Sequence, residues 1–384
     1  MTGSAGRNFG LDLLRALAIL IVLANHLLLG MLASAWPIPI EGWVAHLSTS
    51  AILSIEWLFV LSGFLIGNMM VRSFEAPGGF WVRARSFWLR RWFRTMPNYY
   101  LFLGLNAFLL VFGIGSGSFS PDYFVFAQNL VHAQRVPEFY SEAWSLALDE
   151  WFYLVAPPLV GLFALLARRS LRTSFLMATA VLILVPMALR AVAVPSGYAE
   201  WDHTIRKVTV MHLDATGWGV LAAVLSRWHP AGWRARPGFK ALAGLALTIL
   251  GVYVITGLYT DGWIVTHLPR LANSLSLGVL PAGAFLALPW ITALRWKGLD
   301  RPVRFLSTYS YSIYLCHVPL LYLVVHDLGD DLATVSHASL LGHAVLWAIL
   351  VLATSVAVYH AFEKPVSDLR ERFTRKVDAN PFAT

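Results

Sequence analysis

The stretch 11-LDLLRALAILIVLANHLL-28 decides the class of this fold, because it is apolar enough to belong to a membrane-spanning helix. A span needs about 20 mostly apolar residues, and this run continues to residue 33. Two ionisable side chains, Arg15 and His26, lie inside it. Because charged groups are costly in a bilayer, they generally face a cavity or a partner and mark a functional path. The stretch therefore predicts a polar path along one face of the first helix.

Similar apolar runs recur along the chain. Hydrophobic residues make up 58% of the 384 positions and charged residues 13%, and the mean hydropathy is +0.63. This balance excludes an ordinary soluble domain. We predict an all-α fold, a polytopic membrane helix bundle of about ten transmembrane helices forming one domain over residues 1–384. The predicted spans are 11–33, 47–71, 97–114, 146–167, 174–194, 210–226, 241–258, 271–291, 306–326 and 339–362.

The basic residues are unevenly distributed between the predicted loops. Of the 29 Lys and Arg residues, 23 lie in the two tails and the loops on the same predicted side, and only four lie in the other loops. Because positively charged loops stay in the cytoplasm, both termini are predicted to be cytoplasmic. The net charge of +8 then follows from topology, and we expect no nucleic-acid partner. The single cysteine, Cys316, excludes a Cys-rich metal site, and we expect no metal.

Arg15 and His26 share one face of the first helix. Their separation of 11 residues is about 20° from three full turns, with a rise of about 16 Å. A guanidinium can hold a phosphate or a thioester carbonyl, and an imidazole can take a proton from a hydroxyl near neutral pH. Snorkelling explains Arg15 alone and an interhelical hydrogen bond explains His26 alone, but the pair on one face predicts a site.

Further charged residues cluster near other predicted spans. In the second span Glu56 is placed to orient His26 as a base, and the neighbouring small residues predict close helix packing. The motif 90-RRWFR-94 contains Arg91 and Arg94 at the predicted cytoplasmic interface. It favours either positive-inside anchoring or a clamp for the phosphates of a nucleotide-like donor.

Acidic and aromatic residues mark the predicted outer side. Asp149 and Glu150 begin the fourth predicted span beside Trp144, an arrangement that predicts either helix-dipole capping or a sugar-binding mouth. Asp214 lies near the outer end of the sixth predicted span. For His317 and Glu363 an interhelical polar role is favoured over a catalytic one.

Taken in order, seven segments resemble the acyltransferase 3 family of integral membrane O-acyltransferases over essentially the whole chain. They are 11-LDLLRALAILIVLANH-26, 59-FVLSGFLIG-67, 90-RRWFR-94, 144-WSLALDEWFYL-154, 213-LDATGWG-219, 307-STYSYSIYLCHVP-319 and 362-FEKP-365. The resemblance implies transfer of an acyl group, most often acetyl from acetyl-CoA, to a hydroxyl of a carbohydrate acceptor such as an exopolysaccharide, O-antigen or other lipid-linked glycan. It also implies the inner (cytoplasmic) membrane of a bacterial-type cell.

The resemblance maps the family's Arg and His onto Arg15 and His26, and its paired arginines onto Arg91 and Arg94. The chain departs from the family pattern at four positions. Glu56 stands where Asp is usual, Asp149 where Glu is usual, Trp151 where Gln is usual and Leu13 where Gly is usual. The exchanges at Glu56 and Asp149 preserve the negative charge but change the length of the side chain.

These observations combine into an expected mechanism. Coenzyme A should dock at the basic cytoplasmic face through Arg15, Arg91 and Arg94, and His26 should deprotonate an acceptor hydroxyl arriving from the outer side. Glu56 or Glu150 would support the imidazolium, and Asp149, Trp144 and Asp214 would bind the acceptor. The chain ends about 20 residues after the last predicted span, so we expect no appended extracytoplasmic domain. The alternative is a secondary transporter or lipid-linked sugar flippase, which would not bind coenzyme A.

Overall fold

The computed structural model describes residues 7–32, 43–166, 170–193, 195, 197–260, 262–329 and 334–369. Ten long helices make up most of this part of the chain, and no strand occurs within it. The helices are α1 (Phe9–Leu27), α2 (Trp43–Glu75), α3 (Phe80–Val111), α4 (Ala143–Leu166), α5 (Leu171–Val192), α6 (Asp214–Trp228), α7 (Pro237–Thr260), α8 (Pro269–Ile291), α9 (Asp300–Leu328) and α10 (His337–Val358). The predicted all-α class is confirmed.

Eight helices in the described residues are long and apolar enough to cross a membrane. They confirm a multi-pass membrane protein. The other two predicted spans, 97–114 and 210–226, correspond to α3 and α6. The α6 helix has 15 residues, fewer than the roughly 20 that a full crossing needs. The count of ten crossings and the cytoplasmic placement of both termini therefore stay predictions.

The predicted start of α3 was wrong. The helix begins at Phe80 instead of residue 97, and it contains Arg91 and Arg94 in its first half. Arginine is a good helix former but lowers hydropathy, so an apolar window misses this part of the helix. The two arginines consequently lie on a helix wall and not in a cytoplasmic loop.

Local signals set both ends of α1. The side chain of Asn8 accepts a hydrogen bond from the backbone N–H of Leu11 at 3.2 Å and caps the helix. At the other end the α-helix changes into a π-helical turn, Leu28–Leu32, which begins two residues after His26. Such turns are rare in proteins, and those that occur are often located at functional sites. His26 therefore lies in the last α-helical turn before a local change of helix geometry.

Small residues allow α2 and α6 to pack closely. A Cβ atom at Gly63 would come within 2.1 Å of the Thr216 carbonyl oxygen, and one at Gly219 within 2.2 Å of the Val60 carbonyl oxygen. Only glycine permits this approach of two backbones. The packing interpretation of the small residues in 59-FVLSGFLIG-67 is thereby confirmed for Gly63.

Candidate active site

Five helices surround a cavity of about 200 Å³. Its lining comes from α1, α2, α3, α4 and α9 and from Phe126 in the connection between α3 and α4, and most of it is apolar. The charged side chains of the lining are Arg15, Arg91, Arg94, Asp149 and Glu150. We call this space the arginine cavity. Concave sites with a few convergent polar groups are the usual form of small-molecule sites.

Arg15 is held at the edge of a small polar cluster. Its Nη1 donates to the Ser307 hydroxyl at 3.2 Å and lies 4.0 Å from Asp12 Oδ1. Asp12 is in turn bound by Arg7 and by Ser307, whose hydroxyl donates to it at 2.6 Å. Because Arg7 and Ser307 share this carboxylate, Arg15 is only partly neutralised and can offer its charge to the cavity.

Arg91 on α3 and Tyr153 on α4 contact each other in the lining of the arginine cavity. Arg91 Nη2 donates to the Tyr153 hydroxyl at 2.6 Å, and the guanidinium carbon lies 4.3 Å from the centre of the tyrosine ring. The Nε atom of Arg91 is buried and has no hydrogen-bond partner among the described residues. A guanidinium fixed on one side and unsatisfied on another is suited to an anionic ligand.

Asp149 and Glu150 line the arginine cavity together with the arginines. Asp149 accepts from the Ser62 hydroxyl at 3.2 Å, and Glu150 Oε1 accepts from the Thr95 hydroxyl at 2.6 Å. The sequence placed these carboxylates at an outer mouth and the arginines at the cytoplasmic face. That separation was wrong, because the longer α3 carries Arg91 to the level of Tyr153 on α4.

His26 lies beyond this cavity along the same helix. Ile19 lines the cavity, and His26 follows it by two turns, a rise of about 10 Å. His26 Nδ1 donates to the Val22 carbonyl at 3.0 Å, since a carbonyl can only accept. In the neutral ring the lone pair therefore lies on Nε2, where a general base needs it.

A second imidazole packs against His26. The rings of His26 and His317 meet edge to face, with centroids 4.7 Å apart and planes at 84°. His317 is wholly buried, and its Nδ1 donates to the Tyr314 carbonyl at 2.7 Å. Its Nε2 has no hydrogen-bond partner within the described chain. The predicted interhelical role of His317 therefore leaves one ring nitrogen unsatisfied beside His26.

Glu56 has a different partner from the one the sequence suggested. Its Oε1 lies 2.7 Å from His212 Nε2, and both side chains are almost completely buried. His212 Nδ1 lies 2.7 Å from the Arg206 carbonyl oxygen and must donate there, because a carbonyl can only accept. The expectation that Glu56 orients His26 gains no support from this contact.

Trp144 and Asp214 do not line the arginine cavity, whose described lining contains neither. Trp144 is buried, and its ring stacks on the ring of His212 with the centroids 6.1 Å apart. The guanidinium carbon of Arg206 lies 4.6 Å from the centre of the Trp144 ring. Asp214 forms a fully buried pair with Arg190, at 2.8 and 2.6 Å. Their predicted acceptor-binding role is not supported, because packing and ion pairing occupy both side chains.

The segment before α6 carries a strongly coupled ion cluster. Asp202 contacts Arg206 at 2.5 Å and Lys207 at 3.2 Å. Burial by itself would raise the pKa of Asp202, but the two cations outweigh burial and lower the pKa to about 2. The cluster stays ionised at neutral pH and fixes Arg206 above Trp144.

Sequence reasoning missed two side-chain contacts within the arginine cavity and one outside it. Tyr153 contacts Arg91 and Thr95 binds Glu150 in the cavity, and Arg190 neutralises Asp214 outside its described lining. Arg190 carried a signal, because an arginine inside an apolar span needs a counter-ion. A hydroxyl within an aromatic-rich helix carries no comparable signal.

No group of three or more His, Cys, Asp or Glu side chains within the described ranges could hold a metal ion. The expectation that the protein needs no metal stays a prediction. The cavity offers cationic nitrogens and two carboxylates, a donor set suited to an anionic organic ligand and its amide or hydroxyl groups.

Comparison with known proteins identifies a matching family and several relatives. A family profile for an acyltransferase domain, Acyl_transf_3, matches residues 8–361. The chain is 24% identical to the candidate peptidoglycan O-acetyltransferase YrhL of Bacillus subtilis (strain 168), over 96% of this chain and 56% of that one. It is 24% identical to the peptidoglycan O-acetyltransferase OatA of Listeria monocytogenes, over 82% of this chain and 49% of that one.

The chain thus spans about half the length of these curated relatives. No solved structure matches it.

Proposed function

Because the chain belongs to the Acyl_transf_3 acyltransferase family, we propose that it is a membrane-embedded O-acetyltransferase that moves an acetyl group from acetyl-CoA to a hydroxyl of a carbohydrate acceptor. One observation carries the proposal: Arg15, Arg91 and Arg94 line a single cavity, and His26 continues the same face of α1. The relatives' names make peptidoglycan the first acceptor to test. Exopolysaccharide, O-antigen and other lipid-linked glycans offer the same hydroxyl chemistry.

The arginines are the proposed contacts of the donor. Coenzyme A carries several phosphates, and a guanidinium pairs with phosphate oxygens through two parallel hydrogen bonds. Arg91 has an unsatisfied buried Nε, and Arg15 is only partly neutralised by the shared carboxylate of Asp12. The thioester arm would then follow the face of α1 from Ile19 towards His26.

His26 is the proposed general base. Its Nε2 takes the proton of the acceptor hydroxyl while the hydroxyl oxygen attacks the thioester carbonyl. The carbon–sulfur bond breaks, and the imidazolium returns the proton to the departing thiolate. The products are an O-acetyl ester and coenzyme A.

His317 is the proposed support of the imidazolium, in place of Glu56. A cation is stabilised by the face of a neutral aromatic ring, and the wholly buried His317 packs edge to face with His26. Glu150 stays a candidate for the chemistry, because its buried Oε2 has no hydrogen-bond partner among the described residues. It can accept an N–H or O–H group of a bound substrate.

Donor binding tests the proposal. The purified protein in lipid nanodiscs should bind acetyl-CoA, and Arg91→Gln should weaken binding at least tenfold through loss of a phosphate contact. Arg227→Gln is the matched control, because Arg227 lies outside the cavity lining and pairs with Glu75 on the exposed surface. Well-folded wild-type protein that binds no acetyl-CoA would overturn the proposal and favour the transporter or flippase.

A further inference from the structure

A second cavity, of about 280 Å³, lies within the connection between α3 and α4. All of its lining residues belong to the segment 118–135, and we call it the loop cavity. Most of its lining side chains are polar or charged, and those used below are Ser118, Asp122, Gln128, His132, Gln134 and Arg135. Its volume is near the lower end of the 300–1,000 Å³ range of small-molecule sites.

Hydrogen bonds anchor this segment to the rest of the molecule. Tyr99 on α3 donates its hydroxyl to the Tyr123 carbonyl at 2.7 Å, and Trp151 on α4 donates to the Phe126 carbonyl at 2.9 Å. Asn129 bonds the Lys207 carbonyl at 2.6 Å. The loop cavity therefore has fixed walls, which lowers the ordering cost of binding a ligand.

Two residues that line the loop cavity carry buried amide oxygens with no hydrogen-bond partner among the described residues. Gln134 is 5% exposed, and its amide nitrogen donates to the Tyr123 hydroxyl at 2.5 Å. Gln128 donates from its nitrogen to the Ala143 carbonyl at 3.2 Å. Both Oε1 atoms are buried and have no partner among the described residues. Because leaving a buried acceptor without a hydrogen bond is costly, these oxygens favour a ligand that carries hydroxyl or N–H groups.

The charges of the loop cavity point to a neutral ligand. The lining contains one carboxylate, Asp122, and one guanidinium, Arg135, and His132 and Ser118 add groups that can donate or accept. A phosphate would be repelled by Asp122. A sugar ring, which offers many hydroxyl groups that both donate and accept, suits this lining.

The loop cavity also adjoins the arginine cavity. Phe126 lines the arginine cavity, and its neighbours Tyr123 and Ala127 line the loop cavity. One short turn of chain therefore separates the two spaces. A ligand in the loop cavity would lie beside the site that the donor is proposed to occupy.

We propose that the loop cavity binds a neutral sugar unit, a hexose or N-acetylhexosamine, of the acceptor glycan. This assignment rests on the proposed function for the identity of the acceptor, but binding can be measured without turnover. Gln134 and Gln128 would accept hydrogen bonds from sugar hydroxyl or acetamido groups, with Asp122 and Arg135 at the rim.

The test uses an N-acetylglucosamine tetramer as the probe and the full chain in nanodiscs. Gln134→Leu should raise the dissociation constant of the tetramer at least tenfold, because a site built to hydrogen-bond a hydroxyl loses affinity when its acceptor is removed. His132→Ala, an exposed change that cannot disturb the buried packing, should raise it severalfold. Acetyl-CoA affinity should stay unchanged in both variants.

Tyr100→Phe is the matched control. It removes the hydrogen bond of 2.7 Å that the Tyr100 hydroxyl on α3 donates to the Phe124 carbonyl of this segment. Tyr100 lies outside the described cavity lining, so tetramer binding should not change. Equal tetramer affinity in wild type, Gln134→Leu and His132→Ala would overturn the assignment, and so would absence of tetramer binding by protein that transfers acetyl groups. Failure of acetyl-CoA binding would instead overturn the proposed function.

Discussion

At the residue scale, the contact between His26 and His317 makes the most specific prediction. His317→Ala should lower kcat about tenfold, equivalent to about 1.4 kcal/mol of lost imidazolium stabilisation, and leave the KM for acetyl-CoA unchanged. His317→Phe keeps a neutral ring face and should retain kcat within about threefold. Steady-state kinetics of the three proteins in nanodiscs measure this. A phenylalanine variant as slow as the alanine variant would show that the ring face is not what supports His26.

Individual residues also show where sequence reasoning stops. Arg15, Arg91 and Glu150, which line the arginine cavity, are conspicuous in the sequence because charged groups are costly in an apolar environment. Their partners were not predictable in the same way. Glu56 and His212 are 156 positions apart, and nothing in either local pattern indicates that they meet.

At the element scale, the crossing of α2 and α6 depends on glycine. Gly219→Ala should destabilise the folded protein by about 1–3 kcal/mol, because the new Cβ would lie 2.2 Å from the Val60 carbonyl oxygen and the helices would have to separate. Thermal unfolding in detergent measures the loss as a lower Tm.

Gly104→Ala on α3 is the control for this prediction. A Cβ at Gly104 has no atom within 4 Å, so alanine should raise the Tm slightly through its better helix propensity. Equal effects of the two substitutions would mean that close packing of α2 and α6 does not limit stability.

Helix positions followed from hydropathy wherever the apolar run was continuous. The predicted span 271–291 corresponds to α8, Pro269–Ile291, and 174–194 to α5, Leu171–Val192. The α3 helix differs because its first half is rich in arginine, which is compatible with helix but not with an apolar window. This half contains Arg91. Hydropathy therefore could not show that Arg91 and the carboxylates of α4 line the same cavity.

At the scale of the whole molecule, stability should depend on pH through Glu142. This residue immediately precedes α4, and burial raises its pKa to about 8. The folded protein therefore favours the protonated form of the Glu142 carboxyl group. The contribution to stability is full below the ordinary pKa of 4.5 and is lost as the pH rises from there through about 8.

Glu142→Gln should remove this dependence, because glutamine resembles the protonated acid. The wild-type Tm in detergent should fall between pH 5 and pH 9, by an amount on the order of a few kcal/mol in stability, and that of the variant should fall much less. Parallel Tm curves for the two proteins would show that Glu142 does not titrate in this range.

In the proposed function, the donor cavity, the base on the same helix face and the acceptor space lie next to one another. The all-α membrane class followed from composition, because an apolar chain of this length has few other ways to fold. The meeting of five helices around one cavity could not be predicted, because it depends on contacts between residues far apart in the chain.

The most direct test of the central claim is acetyl transfer from radiolabelled acetyl-CoA to peptidoglycan glycan strands by the purified protein in nanodiscs, comparing wild type with His26→Ala and measuring acetyl-CoA binding in parallel. We predict that His26→Ala loses transfer by about 10²–10⁴-fold and binds acetyl-CoA with wild-type affinity. Transfer at the wild-type rate by His26→Ala would contradict the account.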